Sequence, residues 1–272
     1  MSAPSGKDIV TENITCAGGM PAFVARPKAG GSHPCIVLMH ERYGLVQHTK
    51  DLAARFAGDG YVCIAPDVFF RHPDQDGLHR GDDRCDITDD DAIRDLSAAI
   101  DALGGISGAD AKRVAVKGVC QTGRHPLVLA AVRPISAALV WYGAASKREW
   151  DTNKLQPRPL TDVIRDVPCP VFGSFGEADH IISLDDVRRF RNCLEDHKKS
   201  YEIHVFKDAP HGWLNDTMPG RYRAPQADAG WSDQQAFLKK VTAPDFKQTH
   251  MTWEFDCAFA LDYDFTRNVR LE

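Results

Sequence analysis

Six short apolar runs recur along the chain, and they constrain its fold more than any other feature. They are PCIVLMH (34–40), YVCIAPDV (61–68), RVAVKGV (113–119), ISAALVWYG (135–143), CPVFGSFG (169–176) and EIHVF (202–206). Several are apolar nearly throughout, the pattern of strands covered on both faces. Helical spacing lies between them. Over 89–103, Ile93, Leu96, Ile100 and Leu103 share one face, behind Asp89–Asp91 in a first turn where negative charge suits the helix dipole. SLDDVRRFRNCLED (183–196) opens on Ser183, with Asp186 three residues on, close to a capping box. Strands alternating with helices predict an α/β domain, a mostly parallel twisted sheet with helices on both faces. Ahead of it, DIVTENIT (8–15) and PAFVARP (21–27) flank a Cys-Ala-Gly-Gly stretch and read as a hairpin.

No repeat and no long linker divides the chain, so residues 1–240 are expected to form one domain. The pattern changes near Lys247. THMTWEFDCAFALDYDFTRNVRLE alternates, with Trp253, Phe255, Cys257 and Phe259 on one side of an extended chain. Residues 241–272 are therefore expected to form an extended C-terminal arm, packed on the domain or on a second subunit as in a homodimer. The polar stretch RHPDQDGLHRGDDRCDITDDD (71–91) reads as a surface loop leading into a helix, of a size that often borders a site.

Composition removes several classes of function. The formal net charge of -5 argues against a nucleic-acid partner. No apolar run approaches the ~20 residues of a membrane span, and MSAPSGKDIV lacks the apolar centre of a signal peptide, so a cytoplasmic protein is expected. The eight cysteines show no CxxC spacing, which speaks for reduced thiols acting as small hydrophobes and against a metal site or a thiol-redox pair.

One cysteine stands apart. In VKGVCQTG (116–123), Cys120 follows a strand and precedes a small-residue helical run, with Gly118 and Gly123 on either side. A nucleophile on a tight strand-to-helix turn needs such small neighbours, and a helix N-terminus there favours a thiolate. Two further residues fall at strand ends in the chain order such folds use. Asp179 follows the strand PVFGSFG, and His211 follows the strand EIHVF. In an open α/β sheet those ends converge on one crevice.

The motifs HERYG (40–44), GYVCIAPDVF (60–69), GVCQTG (118–123), WYG (141–143), GEADHII (176–182) and APHGW (209–213), in this order, resemble the dienelactone hydrolase family of α/β-hydrolases over roughly residues 8–240. The resemblance implies an α/β-hydrolase fold and hydrolysis of a carboxylic ester or lactone through an acyl-enzyme, with no metal and no cofactor. It implies Cys120 as nucleophile, His211 as general base and Asp179 as its orienting acid. Glu41 matches the family glutamate that interacts with the resting thiol. The backbone N–H groups of Arg42 and Gln121 match the oxyanion hole. Tyr142 and Trp213 would line the substrate pocket, and Arg84, or Arg80, would meet a substrate carboxylate.

Three positions depart from the family pattern. Thr122 stands where a glycine is usual, and a β-branched residue there can crowd the turn. Pro126 falls in the expected helix 123–131, where it can disturb the first turns. Asn215 stands four residues after His211, where the family carries a substrate-binding arginine; Arg221 and Arg223 are the nearby alternatives. These departures leave a second reading open, a non-catalytic ligand-binding or interaction protein on the same fold.

Overall fold

The computed structural model describes residues 8–258. The hairpin forms as expected, from β1 (Ile9–Cys16) and β2 (Met20–Pro27). There follow β3 (His33–Leu38), α1 (Gln47–Gly58), β4 (Val62–Pro66), α2 (Gln75–Arg80), α3 (Asp89–Ala102) and β5 (Ala109–Val119). The second half holds α4 (His125–Ala130), β6 (Ala137–Trp141), α5 (Leu160–Asp166), β7 (Val171–Gly176), α6 (Leu184–Asp196), β8 (Tyr201–Phe206), α7 (Ala224–Val241) and β9 (Trp253–Cys257). The nine strands of the described residues join one sheet in the order β1-β2-β4-β3-β5-β6-β7-β8-β9. Pairing is antiparallel from β1 through β2 to β4, and parallel from there to β9. This is the α/β-hydrolase fold.

The apolar strands are covered on both faces because alternate residues feed different cores. Ile36 and Leu38 of β3 pack with Leu52 and Phe56 of α1 and Phe237 of α7. Cys35 and Val37 pack with Leu96 and Ile100 of α3 on the opposite face. A third cluster joins Val171 and Ile203 to Val163 of α5 and to Val187 and Phe190 of α6. Among the described residues no helix is long and apolar enough to cross a membrane.

The helix caps follow from sequence. Ser183 accepts the N–H of Asp186 at 3.2 Å while the Asp186 carboxylate accepts the N–H of Ser183 at 3.0 Å, a reciprocal capping box on α6. Thr88 caps α3 by accepting the N–H of Asp91 at 3.0 Å.

One expectation changes. The stretch 71–91 is not loop throughout: it contains α2, capped by the Asp74 carboxylate on the Gly77 N–H (2.8 Å) and closed by Gly81 at φ 81°. As far as it is described, the arm packs on the domain, one of the two placements left open by its alternation. Trp253–Cys257 adds the ninth strand, parallel to β8, and Phe255 and Cys257 pack on the core beside it. Phe259 lies outside the described residues.

Candidate active site

Cys120 begins a single helical turn, Cys120–Thr122, between β5 and α4. Its φ is 56°, the left-handed region that a side chain occupies only when its surroundings hold it there. The surroundings here are tight. A Cβ on Gly118 would lie 2.4 Å from the Thr122 carbonyl oxygen, and one on Gly123 would lie 2.6 Å from the Gly143 Cα. Both positions therefore require glycine, as the spacing around Cys120 suggested.

Thr122 does not crowd this turn; it ties it. Its buried hydroxyl donates toward the carbonyls of His40 (2.9 Å) and Val119 (3.0 Å) and accepts the Val119 N–H (3.1 Å). Pro126 sits in the first turn of α4, where a helix has no intrahelical use for an N–H. The next anchor is Arg124, whose guanidinium forks onto Asp89 at the start of α3 (2.9 Å for each bond).

The loops after β7 and β8 bring two partners to Cys120. His211 Nε2 lies 3.0 Å from the Cys120 Sγ, and His211 Nδ1 lies 2.8 Å from Asp179 Oδ2. The other Asp179 oxygen accepts the N–H groups of Ile181 (2.7 Å) and Ile182 (3.0 Å), which fixes the carboxylate. His211 is nearly fully buried. Burial alone would push its pKa down. The charges of Asp179 and Cys120, and hydrogen bonds to both, outweigh this and hold it well above the ordinary histidine value. Such a chain can shuttle a proton between sulfur and imidazole.

Cys120 opens into a cavity of about 370 Å³. Among the described residues, Arg42, Arg84, Arg148 and Arg221 line it, together with the Glu149 carboxylate. That carboxylate is itself committed to Arg148 (3.0 Å) and Arg124 (3.5 Å). Among the described lining residues, positive side chains outnumber negative ones, on a chain whose net charge is negative.

The model of the dienelactone hydrolase family matches residues 20–242. The chain belongs to the dienelactone hydrolase family. A Salmonella typhimurium protein named "Putative carboxymethylenebutenolidase" is 33% identical over 225 residues, spanning 78% of this chain and 79% of the relative. A Methylorubrum extorquens protein of the same name is 31% identical over 229 residues, spanning 82% and 77%. Among solved structures, a "Putative Dienelactone Hydrolase" from Klebsiella pneumoniae superposes with a TM-score of 0.76 at 29% identity, covering 85% of this chain and 99% of that one. Membership makes the protein a hydrolase of lactones or esters.

Within this dienelactone hydrolase scaffold, the sequence-derived site residues distribute unevenly. Cys120, Asp179 and His211 meet. Arg42, Gln121, Tyr142 and Arg84 line the same cavity. The Gln121 side chain also donates to the Cys85 carbonyl (2.6 Å) and Asp86 (2.8 Å), holding the loop that carries Arg84. Arg80 instead pairs with Asp82 on the surface at 2.8 Å, and Arg223 turns back to the carbonyls of Gly220 and Tyr222.

Two expectations are corrected. Trp213 does not line the cavity: it is fully buried and packs on Trp141 at 5.1 Å between centroids and on Phe206 at 5.0 Å. Among the described residues, the hydrogen bonds of Glu41 go elsewhere than to the thiol. Its Oε1 accepts the Tyr142 hydroxyl (3.0 Å) and its Oε2 accepts the Asn215 side-chain amide (2.6 Å). Asn215, which reads in the sequence only as a missing arginine, is thus part of the site. Arg148 and His180 also line the cavity without having been singled out; His180 is adjacent to Asp179, which was the available signal.

Proposed function

We propose that the protein hydrolyses a small, anionic carboxylic ester or lactone with Cys120 as nucleophile. The observation that carries this is the hydrogen-bonded chain Asp179–His211–Cys120 at the edge of the cavity.

The substrate carbonyl oxygen sits against the backbone N–H groups of Arg42 and Gln121. Among the described residues, the Arg42 N–H donates to no protein acceptor. The Cys120 sulfur attacks the carbonyl carbon, and the oxyanion is held by those two donors. Collapse of the tetrahedral species expels the alcohol, which takes a proton from the His211 imidazolium, and leaves a thioester on Cys120. His211 then removes a proton from water, water attacks the thioester, and the carboxylic acid and the sulfur part. Asp179 keeps Nδ1 of the imidazole as donor throughout, so that Nε2 faces the sulfur. Arg42, Arg84 and Arg148 in the cavity lining favour a substrate with a carboxylate of its own. Eight free cysteines, one of them the nucleophile, suit a reducing, cytoplasmic setting.

The test is hydrolysis of small aryl esters and lactones by the wild type and by Cys120→Ala, with intact-mass detection of the acyl group. A Cys120-bound acyl adduct in the wild type and loss of turnover in the variant are expected. Equal rates in the two proteins would end the proposal.

A further inference from the structure

A second cavity, of about 140 Å³, adjoins the first, and the two share Gln121, Arg148 and Glu149 in their linings. Gln121 follows Cys120 directly, so the second cleft begins beside the proposed nucleophile. Arg148, whose side chain is 57% exposed, forms with Glu149 a sill at the solvent side that a substrate chain can cross.

Buried polar groups hold the walls of this cleft. The Arg124 guanidinium, 4% exposed, forks onto Asp89 and also donates to the Arg158 carbonyl (2.6 Å). The Asp89 N–H donates to the Leu155 carbonyl (2.8 Å). These bonds tie the starts of α3 and α4 to the segment after β6. The carboxylates are already engaged: Asp89 with Arg124, Glu149 with Arg124 (3.5 Å) and Arg148 (3.0 Å), and Asp86 with the Gln121 amide (2.8 Å).

The hydrogen-bonding capacity left over is neutral. Asn153 accepts the N–H groups of Leu155 (2.8 Å) and Gln156 (3.2 Å) on its Oδ1, which leaves its NH₂ to donate. Gln156 donates its NH₂ to the carbonyls of Arg148 (2.5 Å) and Asp151 (2.8 Å), which leaves its amide oxygen to accept. His125, at the start of α4, lines the cleft and is only 7% exposed, yet its Nδ1 has no hydrogen-bond partner among the described residues. Burial pushes its imidazole down to about 4, so near neutral pH the ring carries one N–H donor and one lone pair.

We propose that this second cleft binds the alcohol portion of the substrate, and that this portion is a neutral polyol of glycerol or small-sugar type. The proposal rests on ester hydrolysis at Cys120, with a carboxylate of the acyl portion held in the first cavity. A hydroxyl donates and accepts at once, which matches a wall made of one donor amide, one acceptor amide and an imidazole that does both. An anion would meet three carboxylates, Asp86, Asp89 and Glu149, against two guanidiniums, Arg124 and Arg148. An apolar alcohol would strip water from these groups and leave them without partners. Hydrolysis consumes one water and splits the ester C–O bond, releasing the polyol and the dicarboxylic acid.

The experiment compares glyceryl hemisuccinate with propyl hemisuccinate, which carry the same acyl group and differ only in the hydroxyls of the alcohol. A neutral hydrogen bond corresponds to roughly two- to tenfold, so the wild type is expected to prefer the glyceryl ester by about tenfold in kcat/KM, chiefly through KM. His125→Phe keeps a ring and removes both nitrogens. Asn153→Asp keeps the oxygen that Leu155 and Gln156 use and removes the donor. Each is expected to lower the glyceryl-to-propyl ratio by about threefold or more. The ratio is the readout because a loosened fold lowers both rates together. Calorimetric binding of the two esters to Cys120→Ala reads the same preference without turnover.

A wild-type ratio near one would overturn the proposal, as would a ratio that either variant leaves unmoved. Preference for the choline hemisuccinate over the glyceryl one would do the same, by showing that the cleft reads a cation. If His125→Phe does not fold, Asn153→Asp decides. Turnover that survives in Cys120→Ala would end the nucleophile assignment, while the glyceryl-to-propyl ratio would still report on the cleft, so the two failures are distinct.

Discussion

The Thr122 hydroxyl lies 2.9 Å from the carbonyl oxygen of His40, so the turn that carries Cys120 is bonded to the strand end that carries Glu41 and Arg42. Both halves of the proposed catalytic geometry, sulfur and oxyanion donor, depend on that register. Thr122→Val keeps the shape and deletes the hydroxyl, leaving the buried Val119 N–H and His40 carbonyl without this partner. The expected cost is about 1–3 kcal/mol of stability. Urea unfolding checks it, and kcat is expected to fall with it while Thr122→Ser restores most of both.

Asp179 is expected to act on His211 through charge. In Asp179→Asn the imidazole loses the main influence that raises it, and kcat is expected to drop by about 10⁴-fold, the size found for the equivalent change in a serine-protease triad. The stability consequence has a definite sign. A histidine raised in the folded state contributes stability in full below its unfolded value of about 6.5 and loses it as pH rises through the folded value. The gap in unfolding free energy between wild type and Asp179→Asn should therefore be larger at pH 6 than at pH 10. Urea titrations at the two pH values check this, and a gap that grows with pH would contradict it.

These residues differ in how far the chain alone discloses them. Cys120, Asp179 and His211 are legible because each follows an apolar strand, and strand ends of a parallel sheet share one crevice. Thr122 is misread because its value lies in a partner, His40, that no local pattern connects to it. Asn215 looks like a loss for the same reason: its partner Glu41 stands at the end of a different strand. Trp213 reads as a pocket residue only through the family resemblance, and its side chain packs on Trp141 instead. The six-residue helix α2 carries too few apolar positions to show a period, and is marked only by its Asp74 and Gly81 caps. The alternation of β9 reads as extended chain, but its pairing with β8 rests on a crossover through α7 that alternation does not encode.

The cavity arginines make a specificity prediction. Arg84→Gln and Arg221→Gln are each expected to lower kcat/KM for an ester carrying a free carboxylate, chiefly through KM. A lost hydrogen bond to a charged group, about 1.5–3 kcal/mol, corresponds to roughly 10–100-fold. The matched neutral ester is expected to change by less than about threefold. Parallel kinetics on a monoaryl dicarboxylate ester and its neutral methyl diester separate the two effects. Equal losses on both substrates would mean that these arginines shape the cavity rather than read charge.

Lys117 gives a prediction away from the site. It lies on β5, three residues before Cys120, and is fully buried. Its Nζ donates to Gln234 Oε1 (2.8 Å) and lies 3.8 Å from the Trp141 ring centroid, with Trp231 at 5.2 Å and Phe56 at 5.7 Å. The rings favour a cation by about 2 kcal/mol. Removing an ammonium from water costs several kcal/mol, so desolvation wins and the amine is held well below its ordinary value. The unfolded chain then binds a proton that the folded one does not, at every pH between the depressed value and about 10.4. Stability should accordingly rise with pH across that window. Replacing only Lys117 would leave the Gln234 oxygen unpaired, so the clean variant is Lys117→Met with Gln234→Leu. At pH 7 it is expected to be more stable than wild type by about 1–4 kcal/mol, the range found when buried charged groups give way to apolar ones. Its advantage should shrink as pH approaches 10. Urea unfolding at pH 7 and pH 9.5 measures both quantities, and a variant no more stable at pH 7 would mean that Lys117 keeps its proton among the rings.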